Sequence, residues 1–258
     1  MQDCDAAVAI VRASRPEDSV LLMRRTEREG DPWSGHWSFP GGRREPGESN
    51  LLDTALRELD EECGVALHHS QLDAALAPAA ARRRAGRFLK VAPYVFQIER
   101  QTPTILDLNE AVEARWIPIA RLADPSEHRL LPIPALPPGM LFPGLEFEHM
   151  PLWGFTYRLI TEWLGLLPAD RATAGRRTAC RILNFLAARG RRVLHGWNGA
   201  RAALVEGDIP TDELAAELAQ PNGEIPLVNV VELSAGSVKI TGLALEEYVI
   251  RATETPRE

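Results

Sequence analysis

The sequence predicts an α/β protein over residues 1–167 followed by a small α+β extension over 168–258. Three observations carry that expectation. Short apolar runs of strand character recur through the first 120 residues, and one strongly amphipathic helix, Asn50 to Cys63, stands among them. After Pro168-Ala169-Asp170 the chain resumes with helix and strand patterns of different charge. The 258 residues are 45% apolar and 25% charged, which supplies a core, and no apolar run approaches the roughly 20 residues a membrane span needs.

Residues 4–12 and 19–25 read as strands joined by the turn-forming Arg15-Pro16-Glu17-Asp18, a hairpin pattern. From 26 to 50 the chain is polar and rich in Gly, Pro and Trp, a loop region with a short strand near His36 to Phe39. The helix Asn50 to Cys63 has an Asn or Ser start, no internal Gly or Pro, and Gly64 as its stop. Strand-like pieces follow at 87–99 and 113–119. Leu130 to Pro143 carries five prolines, each lacking a backbone donor, and is expected to be a packed loop or lid. Residues 152–166 read as an amphipathic helix, with Trp153, Tyr157 and Trp163 as core. The extension is expected to hold a basic helix over 172–189, a strand from Arg192 to His195, and an acidic helix from Pro210 to Leu218. Two strands, VNVVEL and SVKITGL, follow, joined at Ser234-Ala235-Gly236.

The formal charge of −7 disfavours a partner bound by phosphate neutralisation, so no nucleic acid is expected, and no membrane. The arginines of 171–192 alternate with Ile182, Leu183, Phe185 and Leu186 and read as a solvated or interface face, balanced by the acids of 206–258. Cys4, Cys63 and Cys180 are far apart and lack metal spacing, which fits a reducing, cytoplasmic setting. The acidic start Asp3-Cys4-Asp5 predicts no export. His68-His69 have no spaced carboxylate partner and read as surface.

On a helical wheel at about 100° per residue, Leu51, Leu52, Ala55, Leu56, Leu59 and Cys63 share one arc. Glu58, Glu61 and Glu62 lie along its flank, and Glu62 falls inside it. Three carboxylates within about one turn at a core boundary repel one another and are costly unless a positive group meets them. An oxygen-only set of this kind suits Mg²⁺ or Mn²⁺.

The surrounding pattern, Gly42-x5-Glu48-x8-Arg57-Glu58-Leu59-x-Glu61-Glu62-x-Gly64-Val65, resembles the signature box of the Nudix hydrolases. The usual box has seven residues where this chain has eight between Glu48 and Arg57. With Phe39-Pro40-Gly41-Gly42 before it, and Leu152-Trp153-Gly154-Phe155-Thr156 far downstream, it resembles the coenzyme A pyrophosphatase branch. The segment ahead of the box departs from that branch in reading Gly35-His36-Trp37-Ser38-Phe39.

The resemblance implies an α/β/α sandwich with a mixed sheet over residues 1–167. It implies that Glu58, Glu61 and Glu62 hold Mg²⁺ or Mn²⁺, that Arg57 orients a box carboxylate, and that Gly41 and Gly42 bring backbone near the site. Glu48 is expected to support the loop or a second metal. A further glutamate outside the box is expected to act as general base, Glu110 being preferred to Glu113. Arg24 and Arg25 could meet a phosphate, and Trp33 or Trp37 a purine. The implied activity is cleavage of a nucleoside diphosphate linked to another moiety, foremost coenzyme A or an acyl-CoA. ADP-ribose, another nucleotide sugar or a dinucleoside polyphosphate are the rival substrates, and a non-catalytic nucleotide sensor the rival class. For 168–258 three roles stand open: a dimerisation module giving a homodimer, a lid, or a recognition domain.

Overall fold

The computed structural model describes residues 4–31, 33–82, 88–134, 136–138, 140–167, 171–189, 193–198, 200–206, 211–219, 225–226, 228–234, 237–242 and 248–253. It divides into two compact units, Met1–Asp124 with Phe155–Trp163, and Pro125–Gly154 with Leu164–Glu258. The expected break at 167/168 is therefore not where the units part, because residues 125–154 belong with the C-terminal sheet. Pro168-Ala169-Asp170 itself lies outside the described residues.

In the first unit the strands are β1 (Ala6–Arg15), β2 (Ser19–Arg25), β3 (Trp37–Ser38), β4 (Gly41–Arg43), β5 (Leu72–Ala75), β6 (Ala79–Arg82), β7 (Phe88–Arg100) and β8 (Ala111–Pro118). Its helices are α1 (Leu51–Cys63) and the short α2 (Ile119–Ala123), together with Phe155–Trp163 of α3 (Gly154–Trp163). The sheet is mixed. β1 runs parallel to β7 along its length, from Ala6↔Val91 to Arg15↔Arg100. Its other edge is shared by antiparallel β4 at one end and β2 at the other. β2 continues the sheet to β8 and β3.

Alternation decides which face each residue serves. Ala7, Ala9, Val11 and Ala13 of β1, with Leu21, Met23, Ala92, Tyr94 and Phe96, pack against Leu51, Ala55, Leu59 and Cys63 of α1. Ala6, Val8, Leu89 and Val91 face the other way and meet Phe155 of α3. A mixed sheet between helices is the expected α/β/α sandwich. The small residues of β1 let α1 lie close to the sheet.

Helix α1 begins and ends as the sequence predicts. Asn50 Oδ1 accepts from the Leu52 and Asp53 N–H groups at 2.9 and 3.0 Å. Gly64 adopts φ 64°, where a side chain would be strained, and its N–H donates to the Asp60 carbonyl at 2.8 Å. Asn50→Ala is expected to cost about 1 kcal/mol, read as a lower Tm, with Asn50→Asp retaining most of it. A loss under about 0.3 kcal/mol would mean that packing alone sets the helix start.

β4, β5 and β6 were not expected. β5 and β6 are alanine-rich, and only pairing with β7 makes them strands. Trp37, considered for purine stacking, is 1% exposed and belongs to the core, under the Arg115 guanidinium at 5.6 Å. Tyr157 is buried as expected, while Trp153 and Trp163 are half-buried.

The second unit contains β9 (His128–Pro132), β10 (Met140–Leu145), β11 (Leu152–Trp153), α4 (Arg171–Ala188), β12 (Val193–Asn198), β13 (Ala200–Glu206), α5 (Thr211–Ala219), β14 (Val228–Ser234), β15 (Ser237–Gly242) and β16 (Tyr248–Thr253). The sheet order is β11-β10-β14-β15-β16-β13-β12, with β9 beside β10. Ile182, Phe185 and Leu186 of α4 and Leu214 and Leu218 of α5 cover Val228, Val230, Val238 and Ile240. The extension is thus α+β, with β13 and β16 additional to the expected strands. Arg192, Pro210 and the turn residues Ala235-Gly236 lie outside the described residues, as do Arg191 and the side chains of Arg171 and Arg176. Arg181 and Arg189 pair with Glu217 and Glu213 of α5, so acids close at hand balance part of the basic helix.

The proline-rich stretch is not a loop throughout. β9 and β10 form an antiparallel pair in which Pro132 faces Leu141 and Pro143 faces Leu130. Pro132 ends an edge strand, and Pro143 sits beyond the Met140–Leu141 segment that pairs with β14. Each missing donor falls where the ladder does not call for one.

Candidate active site

The site is assembled where β4 runs alongside the start of β1 and the last turns of α1 lie over both. Ala7 pairs with Gly42 and Val8 with Gly41. Glu62 is only 3% exposed, and its Oε2 accepts the Gly41 N–H at 2.8 Å. A Cβ at Gly42 would lie 2.1 Å from Glu58 Oε1, and one at Gly41 would lie 2.3 Å from the Ala7 carbonyl oxygen. Contact, rather than dihedral freedom, explains both glycines: any side chain here would displace either the carboxylate or the strand.

Arg57 ties the box together. Its Nε donates to Glu48 Oε1 at 2.8 Å, Nη1 to Glu61 Oε2 at 2.7 Å, and Nη2 to the Arg43 carbonyl at 3.1 Å. Nη2 also stands 3.0 Å from Glu58 Oε1. Glu48 accepts in addition from Thr54 Oγ1 and the Glu45 N–H, both at 2.7 Å. Glu48 therefore pins the loop to the helix. Burial pulls its pKa upward, but these donors outweigh burial and hold it below the ordinary range.

Glu62 is displaced the opposite way. Burial pushes its carboxyl up to about 8, with Glu58 and Glu110 adding to the rise, while the Gly41 N–H and Arg25 oppose it. Burial also raises Glu58, against the pull of Arg57. Below about pH 4.5 Glu62 is protonated folded or unfolded; between there and about 8 the folded chain keeps a proton that the unfolded chain releases. Stability of the metal-free protein is therefore expected to fall across that window as pH rises. The check is Tm against pH with chelator present, for wild type and Glu62→Gln; equal slopes in the two proteins would refute it.

Arg24 and Arg25 point to opposite faces of β2, as neighbours on a strand must. Arg25 shares the α1 face with Met23, acts electrostatically on Glu62, and bonds Asp31 at 3.1 Å. Arg24 instead donates to Glu113 at 3.2 Å, and Glu113 is also held by Arg115. The structure so brings Glu58, Glu62, Arg25 and Glu110 to one region and leaves Arg24 and Glu113 engaged with each other. Glu110 is held by Arg28 at 3.0 Å and is partly exposed. His69, expected to lack an acidic partner, bonds Asp53 at 2.8 Å, because its segment turns back along α1; it and His68 are exposed as expected.

One feature escaped the sequence pattern. The loop before Glu110 is stitched to the end of α1 by backbone bonds, from the Ile105 N–H to the Cys63 carbonyl at 2.8 Å and from the Asp107 N–H to the Glu62 carbonyl at 3.3 Å. Such bonds leave no side-chain signature.

The donor set suits a hard divalent cation: it is all oxygen, and two of its carboxylates are raised by burial with too little positive charge nearby. Among the described residues no three His, Cys, Asp or Glu side chains are already grouped to hold an ion, and Glu61 is engaged by Arg57. Among them, too, no helix is long and apolar enough to cross a membrane.

A family model described as NUDIX domain matches residues 5–135. An uncharacterized protein of Schizosaccharomyces pombe is 34% identical over 110 residues, 41% of this chain and 33% of that protein. The uncharacterized Nudix hydrolase NudL of Yersinia enterocolitica is 43% identical over 60 residues, 23% of this chain and 30% of NudL. The chain thus spans about a third of the length of these curated relatives. The NUDIX domain of Shewanella oneidensis NrtR, solved with ADP ribose, resembles it with a TM-score of 0.44 at 19% identity, over 62% of this chain and 85% of that one.

Proposed function

The chain belongs to the NUDIX domain family, and from that premise we propose that it is a metal-dependent pyrophosphohydrolase, cutting a nucleoside diphosphate linked to a second moiety. The observation that carries this reading is the pair Glu62, buried against Gly41, and Glu58, half-buried against Gly42, whose carboxyls burial holds above the ordinary range in spite of the Gly41 N–H and Arg57. A protein that only packed this helix would gain by replacing them with apolar side chains.

In this reading Glu58, Glu61 and Glu62 hold Mg²⁺ or Mn²⁺. Bound there, the cation supplies charge neutralisation on the phosphoryl oxygens and a lower pKa for the attacking water. Arg57 is a positioning residue, fixing Glu48, Glu58 and Glu61 relative to one another. Glu110 takes the proton as water adds to one phosphorus and the bond to the bridging oxygen breaks, leaving two phosphate monoesters. Arg25, on the same face as Glu62, receives a phosphoryl oxygen. Arg24 acts through Glu113 and lies outside direct substrate contact.

The leading substrate is coenzyme A or an acyl-CoA, cut to phosphopantetheine or its acyl form and adenosine 3′,5′-bisphosphate. The eight-residue interval from Glu48 to Arg57 and the Trp153-Gly154-Phe155-Thr156 run support that choice. Turnover with Mg²⁺ or Mn²⁺ across coenzyme A, ADP-ribose, nucleotide sugars and dinucleoside polyphosphates tests it. Preference for coenzyme A is the expected result. Measurable binding without turnover of any of them would replace the enzyme with a nucleotide sensor.

A further inference from the structure

Asp31 lies outside the signature box, yet both of its carboxylate oxygens are committed. Oδ2 accepts from Arg25 Nη2 at 3.1 Å, and Oδ1 from the Trp33 N–H at 2.9 Å. Its backbone is held in the same turn: the Asp31 N–H donates to the Arg28 carbonyl at 3.3 Å, and the Asp31 carbonyl accepts the Ser34 N–H at 3.2 Å. The pair with Arg25 is no solvated surface contact, since the two side chains are only 22% and 18% exposed. Arg25 is fixed at its base as well. Its N–H donates to the His36 carbonyl at 3.0 Å, and across the sheet it stands opposite Ala111, the residue after Glu110. Val112 is passed over between the pairs Arg24↔Glu113 and Arg25↔Ala111, a bulge of the kind that re-aims side chains beside active sites.

The charge of Arg25 acts on Glu62, and its Nε is buried with no hydrogen-bond partner among the described residues. A guanidinium is a rigid planar fork, so gripping it at one nitrogen sets the direction of the other two. We propose that Asp31 is a positioning residue: by holding Arg25 at Nη2, it aims the donors left over at a phosphoryl oxygen of the substrate's pyrophosphate. The inference rests on the pyrophosphohydrolase reading, in which Arg25 receives that oxygen, and it adds the residue that orients Arg25 to do so.

The test is a double-mutant cycle on binding. An amide has one oxygen where the carboxylate has two, so Asp31→Asn cannot accept from both Arg25 and the Trp33 N–H, and it has no charge with which to grip the guanidinium. The Kd of ADP with Mg²⁺ present is measured by calorimetry for wild type, Asp31→Asn, Arg25→Ala and the double variant. The fitted stoichiometry reports the folded fraction, so a lower Tm does not enter Kd. Asp31→Asn is expected to weaken ADP binding by about tenfold, Arg25→Ala by at least as much, and the double variant no more than Arg25→Ala alone. Unchanged binding in Asp31→Asn overturns the proposal, and so does tighter binding, which would show that Asp31 restrains Arg25 instead of aiming it. A full further loss in the Arg25→Ala background also overturns it, because Asp31 would then act through the turn alone. No binding of ADP by wild type overturns it as well. The expected pattern without turnover of any pyrophosphate compound would keep Asp31 as a positioning residue for binding and remove the hydrolase; turnover without the pattern would do the reverse.

Discussion

Glu61→Gln is expected to lower kcat by about 10²–10⁴-fold, with KM changed little. The side chain is the most exposed of the three box carboxylates, and its one described bond is to Arg57 at 2.7 Å, which an amide oxygen can still accept. The fold should therefore survive, and the change removes a negative charge alone. Thermal unfolding should place the variant within a few degrees of wild type, which separates lost chemistry from lost structure. A kcat within about threefold of wild type would take Glu61 out of the metal-binding set.

The second large effect comes from the two glycines, which should fail differently. At Gly42 the obstacle to a methyl group is the Glu58 carboxylate, a side chain that can swing away. Gly42→Ala is therefore expected to leave Tm nearly intact and to cut kcat/KM by about 10²-fold or more through a displaced Glu58. At Gly41 the obstacle is backbone, the Ala7 carbonyl oxygen at 2.3 Å and the Val8 Cα at 2.7 Å, and it cannot yield without separating β4 from β1. Gly41→Ala should cost about 1–3 kcal/mol in urea unfolding besides losing activity. Equal stability losses in both variants would show that the two contacts do not differ as described.

What could be read in the sequence follows the range of the interactions. Helix α1, its Asn50 cap and its Gly64 stop were legible because each depends on residues within one or two turns. The flank of Glu58, Glu61 and Glu62 followed from periodicity, and a bond from Arg57 to some box carboxylate from the resemblance, whereas its choice of Glu61 came from the structure. The anchoring of Arg57 on Glu48 was not legible, since it depends on a loop folding back onto the helix. β5, β6, β13 and β16 were hidden because pairing with distant strands, more than local preference, makes them strands. The prolines of 130–143 misled for a related reason: whether a missing N–H matters depends on which edge of the strand is already paired. Arg24 and Arg25 end a strand expected from the sequence, but which of them meets Glu113 and which faces Glu62 depends on the pairing of β2 with the distant β8.

The parallel pairing of β1 with β7 also governs when the site can come into being. Helix α1 and the Gly41–Arg43 strand are close in sequence, but both rest on β1, whose full-length partner begins only at Phe88. Parallel pairing needs a long crossover, and closing it costs chain entropy before any contact repays it. During refolding, helical signal is expected to rise before divalent-cation affinity does; simultaneous appearance would contradict that order. A newly made chain would then carry its acidic helix for a time without the sheet that buries Glu62, so ion binding at the proposed site would report that distant parts of the first unit have found each other.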